Sequence, residues 1–360
     1  MSSRRPRGDR SSRLLRPQEA RAIPCVTMAC RPPSSPIPGK LPLEDPRWNE
    51  LSGPWPELSE TLPGRVRELA KQPEFELSKS STWAHLHDLI YHQHSCYEST
   101  YAAVPHLVEI GLELPPDRSA DLWISLGFIA ATHRVFGEPI PEGLAPAFHA
   151  ALSIGEVQCL DALLSEPWNR DESSYLALAA LALSGHRMGF LITTNIMLGE
   201  GELEGVCPSC KEYFVILFRD DGIATYVLES TDPPVHSDET QPRRLSALQC
   251  TGSPRETPWR RVAEHLASDD LREQVPEEFL AEWQRELDAG LQQCRMGLAN
   301  ADDRCVACVA GGLLAVRGEV DSSSRLLRLS GGVRCPGCRL HCNLLDAIMP
   351  VWPHFRRKTF

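Results

Sequence analysis

Two four-residue segments constrain this chain most: Cys207-Pro208-Ser209-Cys210 and Cys335-Pro336-Gly337-Cys338. A turn with cysteines at both ends points two sulfurs at one tetrahedral ion, and the proline after the first cysteine stiffens that turn and lowers its ordering cost. Two such knuckles provide four thiolates, the closed ligand set of a structural zinc site. They are separated by 124 residues, against the roughly 15–20 common between paired knuckles. If one ion takes both, the chain must return on itself, and the closure would supply substantial folding free energy. Two other arrangements stay open. Each knuckle could hold its own ion with help from Cys250, His341 or Cys342, or the pair could be metal-free. The expectation is Zn2+ held by Cys207, Cys210, Cys335 and Cys338.

Around the knuckles the pattern is mainly helical. Leu122, Leu126, Ile129 and His133 recur at spacings of 4, 3 and 4, one face of an amphipathic helix. Ser173 to Leu183 is apolar or small on nearly every side and reads as a buried helix, ended by Gly185. Met188, Phe190, Leu191, Ile192 and Met197 predict a return helix. Phe279, Trp283, Leu287, Leu291, Cys294 and Leu298 draw a second long stripe, begun by Pro276-Glu277-Glu278. Cys305, Val306, Cys308, Val309, Gly312, Leu313 and Val316 give another helical face, closed by Gly318. Tyr213 to Phe218 and Ile223 to Leu228 flank Arg219-Asp220-Asp221-Gly222 and predict a β-hairpin. Each half thus ends in an Ala/Leu-rich helix, a glycine, and a knuckle 22 or 17 residues further on. This weak internal duplication suggests an α-solenoid-like stack of antiparallel helix pairs in two halves, with a small β-hairpin beside a zinc knuckle.

Charge and proline define the ends. Residues 1–40 hold eight arginines and one lysine against Asp9 and Glu19, a net of +7 within a total of −11, so residues 41–360 carry −18. Eleven of the 30 prolines lie in the first 60 residues. Such a segment cannot bury enough apolar surface to offset its chain entropy. The predicted organisation is a disordered, basic, proline-rich tail over 1–58 and a helical-repeat half over 59–206. Knuckle and hairpin follow over 207–230, a loop or linker over 231–258, a second helical half over 259–334, and the second knuckle with the C-terminal segment over 335–360. The acidic body disfavours nucleic acid and anionic membrane as partners and favours a basic protein. The longest apolar run, Tyr175 to Leu183, is about half of what a membrane span needs. No apolar stretch of signal-peptide length follows the N-terminal arginines, and of the 13 cysteines six fall in C-x-x-C pairs. Reduced thiols, metal binding and a cytoplasmic location are therefore expected.

Leu86-His87-Asp88 through His94, followed by Tyr101-Ala-Ala-Val-Pro-His-Leu-Val108, resembles HEAT-like helical-repeat proteins, including uncharacterised bacterial ones, over residues 60–200. The resemblance implies a curved stack of helix pairs serving protein contacts and transfers no catalytic residue. The first knuckle, leading into a hairpin, is similar to a zinc ribbon. Ribbon knuckles, however, commonly carry glycine after the second cysteine, where Lys211 and Arg339 stand here. Cys305 and Cys308 lie in a helix without turn residues and read as core. His85, His87, His92, His94 and His106 form a second concentration. On one continuous helix His85 and His92 share a face, as do His87 and His94, but seven residues rise about 10.5 Å, too far for one ion. A role at a helix seam is expected for them, with a pocket of His92, His94, Cys96 and Tyr97 as the alternative. Nucleophile-elbow and P-loop motifs are absent, and the glutamates of Gly199–Gly205 make that stretch a flexible lead rather than a phosphate loop. The leading expectation is a non-catalytic helical-repeat scaffold with a structural zinc, binding a protein. An enzyme with a site near His85–His106 and a zinc-ribbon nucleic-acid binder are the alternatives.

Overall fold

A computed structural model describes residues 36–76, 81–136, 139–165, 168, 170–194, 202–219, 222–227, 235–237, 258–295 and 303–348. It is mainly helical, with small antiparallel sheets. The first half comprises α1 (Leu62–Lys71), α2 (Thr82–Ile90), α3 (Glu98–Leu112), α4 (Pro116–Phe136), α5 (Ala145–Ser165) and α6 (Arg170–Leu183). A two-stranded hairpin, β1 (Tyr91–His92) and β2 (Ser95–Cys96), joins α2 to α3. Helices α4, α5 and α6 pack against one another. Leu122, Leu126 and Ile129 of α4 are fully buried, and so are the residues from Leu176 to Leu181 on every side of α6.

Gly185 closes α6 at a φ of +84°, with its N–H on the Ala182 carbonyl and the N–H of His186 on that of Leu181. These are the two hydrogen bonds of a Schellman cap. Gly318 closes α10 identically, donating to Ala315 while Glu319 donates to Leu314. The return helix expected after Gly185 is a 3-10 segment, Arg187–Thr194. Gly189 lies so close to α6 that a Cβ would collide with the backbone of Ala182. A tighter helix there brings the chain flat onto its neighbour. Met197 lies outside the described residues.

Strands β3 (Glu202–Val206), β4 (Tyr213–Arg219), β5 (Gly222–Tyr226) and β6 (Val235–Ser237) form an antiparallel meander. The predicted hairpin is present with Arg219 opposite Gly222; the two residues between them lie outside the described residues. Two boundaries change. Residues 202–205 of the stretch expected to be a flexible lead lie in β3, with Leu203 and Gly205 buried and Glu202 exposed, and 199–201 lie outside the described residues. The expected linker 231–258 contains β6, paired with β5.

The second half comprises α7 (Pro258–Leu266), α8 (Asp269–Arg272), α9 (Glu277–Arg295), α10 (Asp303–Val316) and α11 (Val320–Leu329). Then follow β7 (Gly332–Arg334), β8 (His341–Asn343) and α12 (Leu344–Ala347). The stripe Phe279, Trp283, Leu287, Leu291 and Cys294 is buried against α10 and α7. Leu298 lies outside the described residues. Cys305 and Cys308 are buried at 0% and 2% exposure, which makes them core.

Within the segment 1–58, expected as a disordered tail, several residues pack onto the helical body. Ile37, Leu41 and Trp48 are buried, and Lys40 pairs with Glu109 of α3. Isolated large apolar residues among prolines suffice to dock an irregular segment, because each buried side chain is worth about 1.5–3 kcal/mol. Residues 1–35 lie outside the described residues. The two halves also share more than the knuckles. One hydrophobic cluster runs from Ile37 to Ile348, and Arg317 Nη2 donates to the Leu163 carbonyl at 2.5 Å across their seam. Among the described residues no helix is long and apolar enough to cross a membrane.

Candidate metal centre

Each knuckle is the turn of a hairpin. In the first, Val206 pairs with Tyr213, and in the second Arg334 pairs with His341. Cys207 N–H donates to Glu212 O and Lys211 N–H to Cys207 O, at 2.9 and 3.0 Å; Cys335 to Leu340 and Arg339 to Cys335 repeat this at 3.0 Å. The residue after each second cysteine is left-handed: φ is 65° at Lys211 and 62° at Arg339. That conformation explains why glycine is common there. Lys211 and Arg339 fill the same backbone role at a steric cost.

The structure brings the four sulfurs together within 4.8 Å of one another. Cys207 Sγ lies 3.7 Å from Cys338 Sγ, and Cys210 Sγ 3.6 Å from Cys335 Sγ. The first cysteine of each knuckle thus meets the second of the other, as a local two-fold arrangement requires. A tetrahedron with metal–sulfur bonds of about 2.3 Å has edges of about 3.8 Å, so the donor set fits a four-thiolate metal ion. Among the described residues these cysteines are the one such group of ligand-type side chains. Neither His341 nor Cys342 belongs to the group. His341 Nε2 lies 3.0 Å from Arg334 Nη2, Cys342 Sγ is directed at the Val333 carbonyl, and Cys250 lies outside the described residues.

The environment separates the thiols. Cys207 and Cys335 are fully buried, whereas Cys210 is exposed. Burial pushes the Cys207 thiol up, but the N–H groups of Cys210 and Ser209 and the neighbouring thiols outweigh it and bring it down to about 6. Burial pushes Cys335 up to about 12. Sulfurs this close titrate as a set, so the first proton leaves the cluster easily and the later ones need a cation to replace them.

Two further contacts fasten the hairpins. Thr225 Oγ1 donates to Arg334 O at 2.7 Å, joining β5 to β7, and Gly205 of β3 bridges to Ile348 just after α12. Sequence reasoning missed both. The alternation in Glu202-Leu203-Glu204-Gly205-Val206 is the signal that would have found β3.

The histidines do not converge. The continuous helix assumed for them ends at Ile90, and Gln93 and His94, with φ of 48° and 54°, make the two-residue turn between β1 and β2. His87 and His94 both border Tyr91, and the other three rings have separate neighbours. His85 Nδ1 lies 2.9 Å from Ser81 O, His92 Nδ1 2.8 Å from Asp88 Oδ1, His94 Nδ1 3.0 Å from the Tyr91 hydroxyl, and His106 Nε2 2.8 Å from Leu41 O. His87 is wedged edge-on between the rings of Trp83 and Tyr91, and burial lowers its pKa to about 4. The alternative pocket of His92, His94, Cys96 and Tyr97 is not assembled either, since Cys96 is buried against Ile129 O.

No protein-family model matches the chain, no curated protein is significantly similar to it, and no solved structure matches it.

Proposed function

We propose that the protein is a non-catalytic scaffold of HEAT-like helical pairs, stacked in solenoid fashion and fastened by a structural zinc ion, which binds another protein. The observation that carries this reading is the meeting of four cysteine sulfurs from knuckles 124 residues apart. Zinc suits four thiolates, and a closed set of four protein ligands leaves no position for substrate. Cys207, Cys210, Cys335 and Cys338 hold the ion, which supplies folding energy rather than chemistry. The partner surface is the helical body. With −18 over residues 41–360, it steers a basic protein toward itself.

A second reading has one observation in its favour. Lys211, Arg334 and Arg339 are all exposed around the knuckles, a cationic tip on an acidic body that would suit nucleic acid. X-ray absorption of the purified protein tests the leading reading. One zinc per chain with four sulfurs at about 2.3 Å supports it. A water in the shell, which would leave an exchangeable position, would contradict it. Salt-sensitive DNA binding lost on charge reversal of Lys211 and Arg339 would favour the second reading.

A further inference from the structure

On the seam between the first half and the C-terminal α12 lies an open cavity of about 300 Å³. Its walls come from three places. Val135 ends α4, Phe190 stands on the 3-10 segment after Gly185, and Leu345 and Ile348 belong to the chain that follows the second knuckle. These walls are apolar, and Val135 is one of three large hydrophobic side chains among the described residues that stay more than a third exposed. Arg134 and Arg187 put guanidinium groups on the rim, with His186 beside them. Arg187 is paired with Asp346 of α12. Arg134 differs. Its guanidinium lies across Gly185, in the space a Cβ there would take, and among the described residues it makes no hydrogen bond and has no carboxylate within 4 Å. The acid whose field it feels is Glu156 of α5, and burial pulls the Arg134 pKa down.

An apolar cleft with a guanidinium at its mouth that has no hydrogen-bond partner among the described residues has defined chemistry. The walls take a hydrocarbon or aryl group, and the planar N–H fork takes a carboxylate in two parallel hydrogen bonds. We propose that this cavity is a binding site for a small apolar carboxylate, its tail against Phe190, Leu345 and Ile348 and its head group on Arg134. The site is separate from the metal centre and does not depend on which ion the cysteines hold.

Isothermal titration of the full chain with octanoate tests this, with 1-octanol and octylamine as neutral and cationic probes of the same tail. The expected result is saturable one-to-one binding of octanoate, at least tenfold weaker for octanol and for octylamine. Arg134→Met, which keeps the stem and removes the charge, should weaken octanoate at least tenfold, while Arg134→Lys, which keeps the charge and loses the fork, should fall between the two. Val135→Trp, at the exposed mouth, should block the tail and abolish binding in a protein whose thermal unfolding is unchanged. No saturable octanoate binding by the folded wild type would overturn the proposal. Octanol binding as tightly as octanoate, with Arg134→Met without effect, would overturn it equally.

Discussion

Single residues set several of the energies here, and Gly185 is the clearest. Its φ of +84° suits glycine, and its missing side chain makes room for the Arg134 guanidinium. Gly185→Ala is expected to cost about 1–3 kcal/mol in urea unfolding, from the left-handed backbone and the collision together. Adding Arg134→Ala should restore the collision part alone, so a double-mutant cycle separates the two. His87 and Glu156 give opposite pH dependences. The His87 pKa drops from 6.5 to about 4 on folding. Between those values the unfolded chain binds the extra proton, so stability falls as the solution is acidified. By pH 4 the loss is about 3 kcal/mol, and His87→Phe should remove it. Glu156 is raised from 4.5 to about 7 by burial. Its folded form keeps a proton the unfolded chain has lost, so its contribution disappears as pH rises through 7. Glu156→Gln should therefore raise stability at pH 8 by up to about 3 kcal/mol, read from denaturation midpoints. Neither shift was legible in the sequence, because both depend on which neighbours exclude water.

At the scale of elements, apolar patterning identified the long helices: α9 buries the one stripe its segment displays, whereas α4, α6 and α10 are apolar and buried on most sides. The Gly185 and Gly318 caps were legible as well. What failed were segments whose conformation is set by a neighbour. The 3-10 turn after Gly185 is shaped by α6, β6 by its pairing with β5, and the β1–β2 hairpin interrupts a histidine run that looked helical. The knuckle turns were legible as paired-cysteine elements, but not their left-handed Lys211 and Arg339. Replacing Lys211 or Arg339 by glycine should stabilise the metal-loaded protein by about 0.5–1 kcal/mol, because both φ values exceed 60°. Thermal unfolding of the single variants measures this. A drop in stability would mean the side chains contribute more than the backbone strain costs.

For the whole molecule, the sequence pointed to two halves held mainly by metal. The structure distributes that task. A single hydrophobic cluster spans both halves, and Arg317, Thr225 and Ile348 cross between elements far apart in sequence. Long-range packing of this kind has no local signature, which is why the burial of Ile37, Leu41 and Trp48 was not foreseen. Stripping the metal should therefore loosen the knuckle hairpins without unfolding the helical body. Far-ultraviolet circular dichroism after chelation should keep most of the helical signal. The unfolding midpoint should fall on the order of 10 °C, from the several kcal/mol a structural ion supplies.

The central claim is that one ion is shared by both knuckles, and native mass spectrometry of two variants tests it most directly. In Cys207→Ser/Cys210→Ser the first knuckle is lost, and in Cys335→Ser/Cys338→Ser the second. A shared four-thiolate site requires one zinc per wild-type chain and none in either folded variant. Two ions in the wild type, with one retained in each variant, would contradict the account.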